Sequence, residues 1–95
     1  MYLISLKNHS DGIYSTVDNN GEYVVYFFRN EDDAERYLGL LEANDEKNVL
    51  PALTVNEVSE SSGISTCEMR GIKYIVIEEE DIIIPPRVYD NVENI

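Results

Sequence analysis

The chain has little of what a secreted scaffold, a nucleic-acid binder or a membrane protein requires. It has one cysteine, Cys67, in 95 residues, so no intrachain disulfide can form and no cysteine-based metal cluster can be built. A small domain without disulfides fits a reducing compartment, and the expected location is cytoplasmic. Lys and Arg number only 7 against 19 Asp and Glu, a net charge of -12. Binding nucleic-acid phosphates by counter-ion release needs clustered cations, so nucleic acid is not an expected partner. The same sign of charge repels an anionic membrane leaflet. No apolar run approaches the ~20 residues of a spanning helix, and Met1 to Asn8 is too short and wrongly flanked for a signal peptide, so no membrane insertion is expected. Phosphate loops, dinucleotide fingerprints, zinc-ligand spacings and nucleophile elbows are also missing. No catalytic residue, cofactor or metal site is expected, and the chain reads as a non-enzyme.

Hydrophobic residues make up 43 % of the chain, enough for a folded core rather than a charged disordered tail. The length fits one domain, expected over residues 1–87, with 88–95 a loosely held tail. Tyr2 to Lys7 alternates with period 2 and reads as a strand. Asn8-His9-Ser10-Asp11-Gly12 is a cluster of turn formers and reads as a loop. Ile13 to Val17 is β-branched and aromatic, a second strand. Asp18-Asn19-Asn20-Gly21 then signals a hairpin turn. The return strand, Tyr23 to Phe28, is apolar on both faces, as a strand covered on both sides or forming a partner surface would be.

A helix is expected from 31 to about 43, with Asn30 as N-cap and Asp33 at the third position completing an approximate capping box. Ala34, Tyr37, Leu38 and Leu41 form its apolar stripe. Leu53 to Val58 reads as a weaker strand and Ser59 to Gly63 as a polar, flexible link. A short helix over 62–70 puts Ile64 and Cys67 inward, with Gly71 just past its end. Lys73 to Ile77 is the last clear strand before Glu78-Glu79-Glu80-Asp81, Ile82-Ile83-Ile84 and the ladder-ending Pro85-Pro86. The expected fold class is α+β: a mainly antiparallel sheet of about five strands, with one longer and one short helix packed on one face.

Each candidate constellation has a plain structural alternative. His9 and Asp11 could pair as an oriented base, but no nucleophile motif accompanies them, and a surface turn accounts for both. Cys67 reads as a small buried residue rather than a reactive thiol. Successive members of Glu78-Glu79-Glu80-Asp81 point to opposite faces of a strand, which suits a solvated edge better than an ion site. Glu31, Asp32, Asp33 and Glu35 complement the helix dipole, and together with the net charge they could steer a basic partner. Seven tyrosines add amphipathic contact area. The expected partner-binding residues are Tyr14, Tyr23, Tyr26, Glu31, Asp32 and Glu35, with Tyr89 and the apolar segment 82–86 as a further docking element.

The N-terminal strand, Gly12-Ile13-Tyr14, Glu31-Asp32-Asp33-Ala34 leading to Leu40-Leu41-Glu42-Ala43, Cys67, Tyr74 and Ile84-Pro85-Pro86 carry a resemblance. The chain resembles a family of small uncharacterised proteins of cyanobacteria and plastids, a domain of unknown function, over about residues 1–87. It departs from that family in a longer polar link between Ala43 and Leu53, and in Ser and Gly before the short helix. The resemblance implies a role in oxygenic phototrophs, around the photosynthetic apparatus, and supplies no catalytic residues.

The leading expectation is an acidic adaptor that docks to a protein partner bearing a basic patch. A small-molecule-sensing regulatory homodimer and an acidic mimic of nucleic acid are the alternatives.

Overall fold

In the computed structural model, eight elements follow in the order β1 (Tyr2–Leu6), β2 (His9–Ile13), β3 (Thr16–Val17), β4 (Tyr23–Phe28), α1 (Glu31–Ala43), β5 (Leu53–Glu57), α2 (Glu60–Arg70) and β6 (Lys73–Ile77). The structure describes residues 1–79 and 81, and residues 9–11 by their backbone only. The expected tail 88–95, the segment 82–86, Glu80 and Tyr89 lie outside the described residues.

β1 and β4 are the inner strands of the sheet. β1 pairs with β5 along its whole length, Tyr2 opposite Glu57 through Leu6 opposite Leu53. Its other edge meets β4 at Tyr2–Phe28 and β2 at Ser5–Ile13. β4 pairs with β3 on one edge and takes β6 on the other, in parallel, from Val24–Lys73 to Phe28–Ile77. The long strands therefore run in the order β5-β1-β4-β6, and residues 13–17 cross from the end of β1 to the start of β4. Tyr14 N–H donates to Ile4 O at 2.8 Å in that crossing.

The α+β class holds, with six strands where about five were expected, and with β4–β6 as the parallel pair in a mainly antiparallel sheet. The expected loop at 8–12 narrows to a turn at Lys7–Asn8 followed by β2, because the register slips between Ser5 and Leu6 and takes up the extra residues as a bulge. The hairpin turn stands as read. Asp18 N–H donates to Glu22 O and Gly21 N–H to Asp18 O, at 2.8 and 3.0 Å, and Gly21 takes φ 81°, where a side chain would be strained.

The helices sit on opposite faces of the sheet, not on one. α1 covers Ile4, Phe28, Leu53 and Ile77 with Ala34, Tyr37, Leu38 and Leu41. On the other side Cys67 of α2 packs with Leu3, Val25 and Phe27. The physical reason lies in the strand order. From β4 the chain crosses one way to β5 through α1, then returns the other way to β6 through α2. Two right-handed crossovers running in opposite directions put their helices on opposite faces.

α1 has the bounds its apolar stripe predicts, and the Asn30 Oδ1 cap accepts from Asp32 N–H at 2.8 Å. Asp33 turns its Oδ1 to Arg36 Nη2 at 2.9 Å. α2 begins two residues earlier than expected. Ser59 Oγ caps it by accepting from Ser62 N–H at 3.1 Å, so the stretch read as a flexible link becomes its first turn. Gly71, φ 67°, ends it as expected.

One ion pair ties the hairpin turn to the edge strand. Asp18 Oδ2 accepts from Lys73 Nζ at 2.7 Å, while its Oδ1 accepts from the Asn20 and Glu22 N–H groups. The Lys73 hydrogen bond, then that of Glu22, holds the Asp18 carboxyl below its ordinary 3.8. The same bond raises Lys73 above its ordinary 10.5. Both groups thus favour the folded chain between these limits. The stability lost in Asp18→Asn should be constant between pH 3.8 and 10.5 and shrink as pH falls through the lowered value of the folded state. Paired denaturant titrations of the two chains at pH 7 and at acid pH check this, and a pH-independent difference would contradict it.

Candidate functional site

The covering of the two faces is unequal. On the α1 side, Tyr37 and Leu41 fill the layer and are 3 % and 0 % exposed. Tyr37 stacks edge-on to Tyr26 with ring centroids 5.6 Å apart. The side of α2 turned to the sheet carries small residues instead, and a cleft of about 420 Å³ remains there, within the range of small-molecule pockets.

Strand alternation sends Leu3 of β1 and Val25 and Phe27 of β4 to one face, where they form the floor of the cleft. Its wall is α2, where Ser62, Gly63, Thr66, Cys67 and Arg70 recur at helical spacing. Val58 and Ile72, just outside the two ends of α2, complete the lining along the helix. Ile13, Ser15 and Tyr23 line it from the hairpin side. Ile13 and Tyr23 are 41 % and 67 % exposed, so they form an apolar lip open to water. Gly63 sets how closely α2 approaches: a Cβ there would stand 3.0 Å from Phe27 Cε1.

Among the described side chains, the lining of this cleft contains no His, Asp or Glu. The Thr66 hydroxyl donates to Ser62 O at 2.8 Å. Burial pushes the Cys67 thiol up from its ordinary value, away from the nucleophilic thiolate. Among the described residues no group of three His, Cys, Asp or Glu could hold a metal ion. No described helix is long and apolar enough to cross a membrane.

The residues expected to bind a partner separate onto two faces. Tyr23 lies at the cleft. Tyr14 and Tyr26 are half-buried on the opposite face, packed against the α1 core, and burial followed by the Asp45 charge raises the Tyr14 hydroxyl. Glu31, Asp32 and Glu35 are exposed on α1. The carboxylates after β6 are drawn into a surface network. Arg29 Nε donates to Glu78 at 2.8 and 3.0 Å and Nη1 pairs with Glu60 at 3.0 Å, while Asn30 Nδ2 donates to Glu79 at 3.3 Å. His9 and Asp11 lie in β2, described by backbone only.

The sequence reading passed over Ser62, Gly63, Thr66 and Arg70. The signal was their recurrence along one helical face without a large side chain among Ser62, Gly63, Thr66 and Cys67, opposite the both-faces-apolar β4.

Cys67 lines the cleft yet is only 3 % exposed. Its alkylation by a maleimide at neutral pH should be on the order of 100-fold slower in the native chain than in denaturant, because reaction waits on opening of α2. Equal rates in the two states would show that α2 does not cover it.

The family described as Domain of unknown function (DUF3110) matches residues 2–87. No curated protein matches significantly, and no solved structure does.

Proposed function

The chain belongs to the DUF3110 family, and for it we propose a non-catalytic binding role in which the cleft beneath α2 takes up a small, largely apolar molecule. The observation that carries this reading is the cleft itself: about 420 Å³, floored by Leu3, Val25 and Phe27 and opening at Ile13 and Tyr23. Such a site removes apolar ligand surface from water, and its few polar groups set orientation. A cytoplasmic setting in a phototroph belongs to the same proposal and is supported by the family resemblance.

Octan-1-ol, a neutral apolar probe, tests the reading. At ten times its dissociation constant a ligand that binds only the folded chain adds about 1.4 kcal/mol, which raises the melting temperature of a domain this size by roughly 5–10 °C. Thr66→Trp should abolish the rise, since Thr66 is exposed and lines the cleft, so the indole fills the space without entering the core. No rise in the wild type up to the solubility limit, with octan-1-ol or with its carboxylate octanoate, would overturn the reading.

A second reading is docking to a basic partner protein through α1. It is favoured by Glu31, Asp32 and Glu35 all standing exposed on a helix whose opposite side is buried. Rim charges of this kind mainly set association rate and salt dependence. A partner captured by the wild-type chain at low salt should be lost both at high salt and on replacing the three with Gln. Capture that survives the triple replacement would end this reading.

A further inference from the structure

The cleft has a chemical bias beyond its apolar walls. Among the described side chains no Asp or Glu lines it, and the one charged lining residue is Arg70. Three of the other described cations are ion-paired, whereas Lys7, like Arg70, forms no ion pair with a described residue. Arg29 is held by Glu60 and Glu78, Arg36 by Asp33 and Lys73 by Asp18. Among the described residues no carboxylate pairs with Arg70. In so acidic a protein, an apolar cleft with an arginine at its edge and, among the described side chains, no carboxylate in its lining is matched to a particular ligand chemistry.

Resting on the reading that the cleft holds a small molecule, we infer that its ligand is an amphipathic anion. The apolar body lies on Leu3, Val25 and Phe27 and emerges past Ile13 and Tyr23. The anionic head is taken by Arg70. Guanidinium is suited to this role because its planar donor fork matches carboxylate and phosphate oxygens, and because it is weakly hydrated beside apolar surface.

Two features of the chain oppose an anion here, which makes the inference sharp. The net charge of -12 repels anions at long range. Arg70 also sits in the last turn of α2, near the negative end of the helix dipole. A measured preference for an anion must therefore come from the local contact. If Arg70 merely complements the dipole, no preference arises.

The test is titration of the full-length chain, labelled for backbone amide resonances, with octanoate and with octan-1-ol, equal in chain length and different in charge. Octanoate should bind about tenfold more tightly at low ionic strength, with shifts concentrated at Val25, Gly63 and Thr66. Arg70→Gln should bring octanoate down to the octan-1-ol affinity and leave the alcohol unchanged. Arg70→Lys should keep most of the preference, and thermal unfolding of each variant confirms that it folds. Equal affinities in the wild type, a preference for the alcohol, or a preference that persists in Arg70→Gln would overturn the anion inference while leaving the apolar cleft in place. Failure of both probes to bind would remove the cleft reading itself.

Discussion

Strand β4 cannot be left with either face in water. Its six residues, Tyr23-Val24-Val25-Tyr26-Phe27-Phe28, alternate in direction, so one helix layer could cover only Val24, Tyr26 and Phe28 or only Val25 and Phe27. Full burial of each large apolar side chain is worth about 1.5–3 kcal/mol, a sizeable share of the margin of a domain this small. Covering both faces is therefore the constraint from which the rest follows. The chain meets it by crossing the sheet in one direction through α1 and in the other through α2. Phe27 and Phe28 end up 1 % and 2 % exposed on opposite faces.

Local elements were legible in the sequence because their causes are local. The α1 stripe and its Asn30 cap, the Asp18–Gly21 turn and the Gly71 end of α2 each rest on residues within one or two turns of chain. What was hidden depends on partners far apart in sequence. The placing of α1 and α2 on opposite faces follows from strand order, and strand order is set by pairings such as Tyr2 with Glu57 and Phe28 with Ile77. The start of α2 was hidden for another reason. Ser59, Ser61 and Ser62 are poor helix-interior residues, but Ser59 takes the cap, where its hydroxyl is an advantage. Of the site, Tyr23 was named in advance for its chemistry, whereas the α2 wall was not. Small residues advertise no contact, and their meaning appears only once Val25 and Phe27 stand opposite them.

Charge is distributed with the same logic. Glu31, Asp32 and Glu35 stand exposed on α1, the first two in its first turn, where the positive end of the helix favours them. Asp18 and Glu78 are spent on tying the turn and the end of β6 to Lys73 and Arg29. Carboxylates thus stand on α1, around the hairpin turn and after β6, while none of the described ones lines the α2 cleft. The two candidate surfaces, acidic helix and apolar cleft, lie on opposite sides of one sheet. Both layers rest on the two faces of β1 and β4, which carry Ile4 and Phe28 on the α1 side and Leu3, Val25 and Phe27 on the other.

The small-residue wall of α2 separates a packing explanation from a binding one. Gly63 in a helix costs about 1 kcal/mol relative to Ala, and its presence follows from packing, since a Cβ would press on Phe27 at 3.0 Å. The same account does not extend along the helix. Ser62 and Thr66 line open space rather than a close approach, and Thr66 bonds only back to its own helix at Ser62 O. Leu or Met at Thr66 would cover more of Val25 and Phe27 and would also raise helix propensity. A fold shaped only for stability has reason to close this space, as the Tyr37–Leu41 layer closes the other side. The open cleft, with Arg70 at its edge and no carboxylate among its described lining residues, is the part of the molecule that packing leaves unexplained and that the proposed ligand binding would account for.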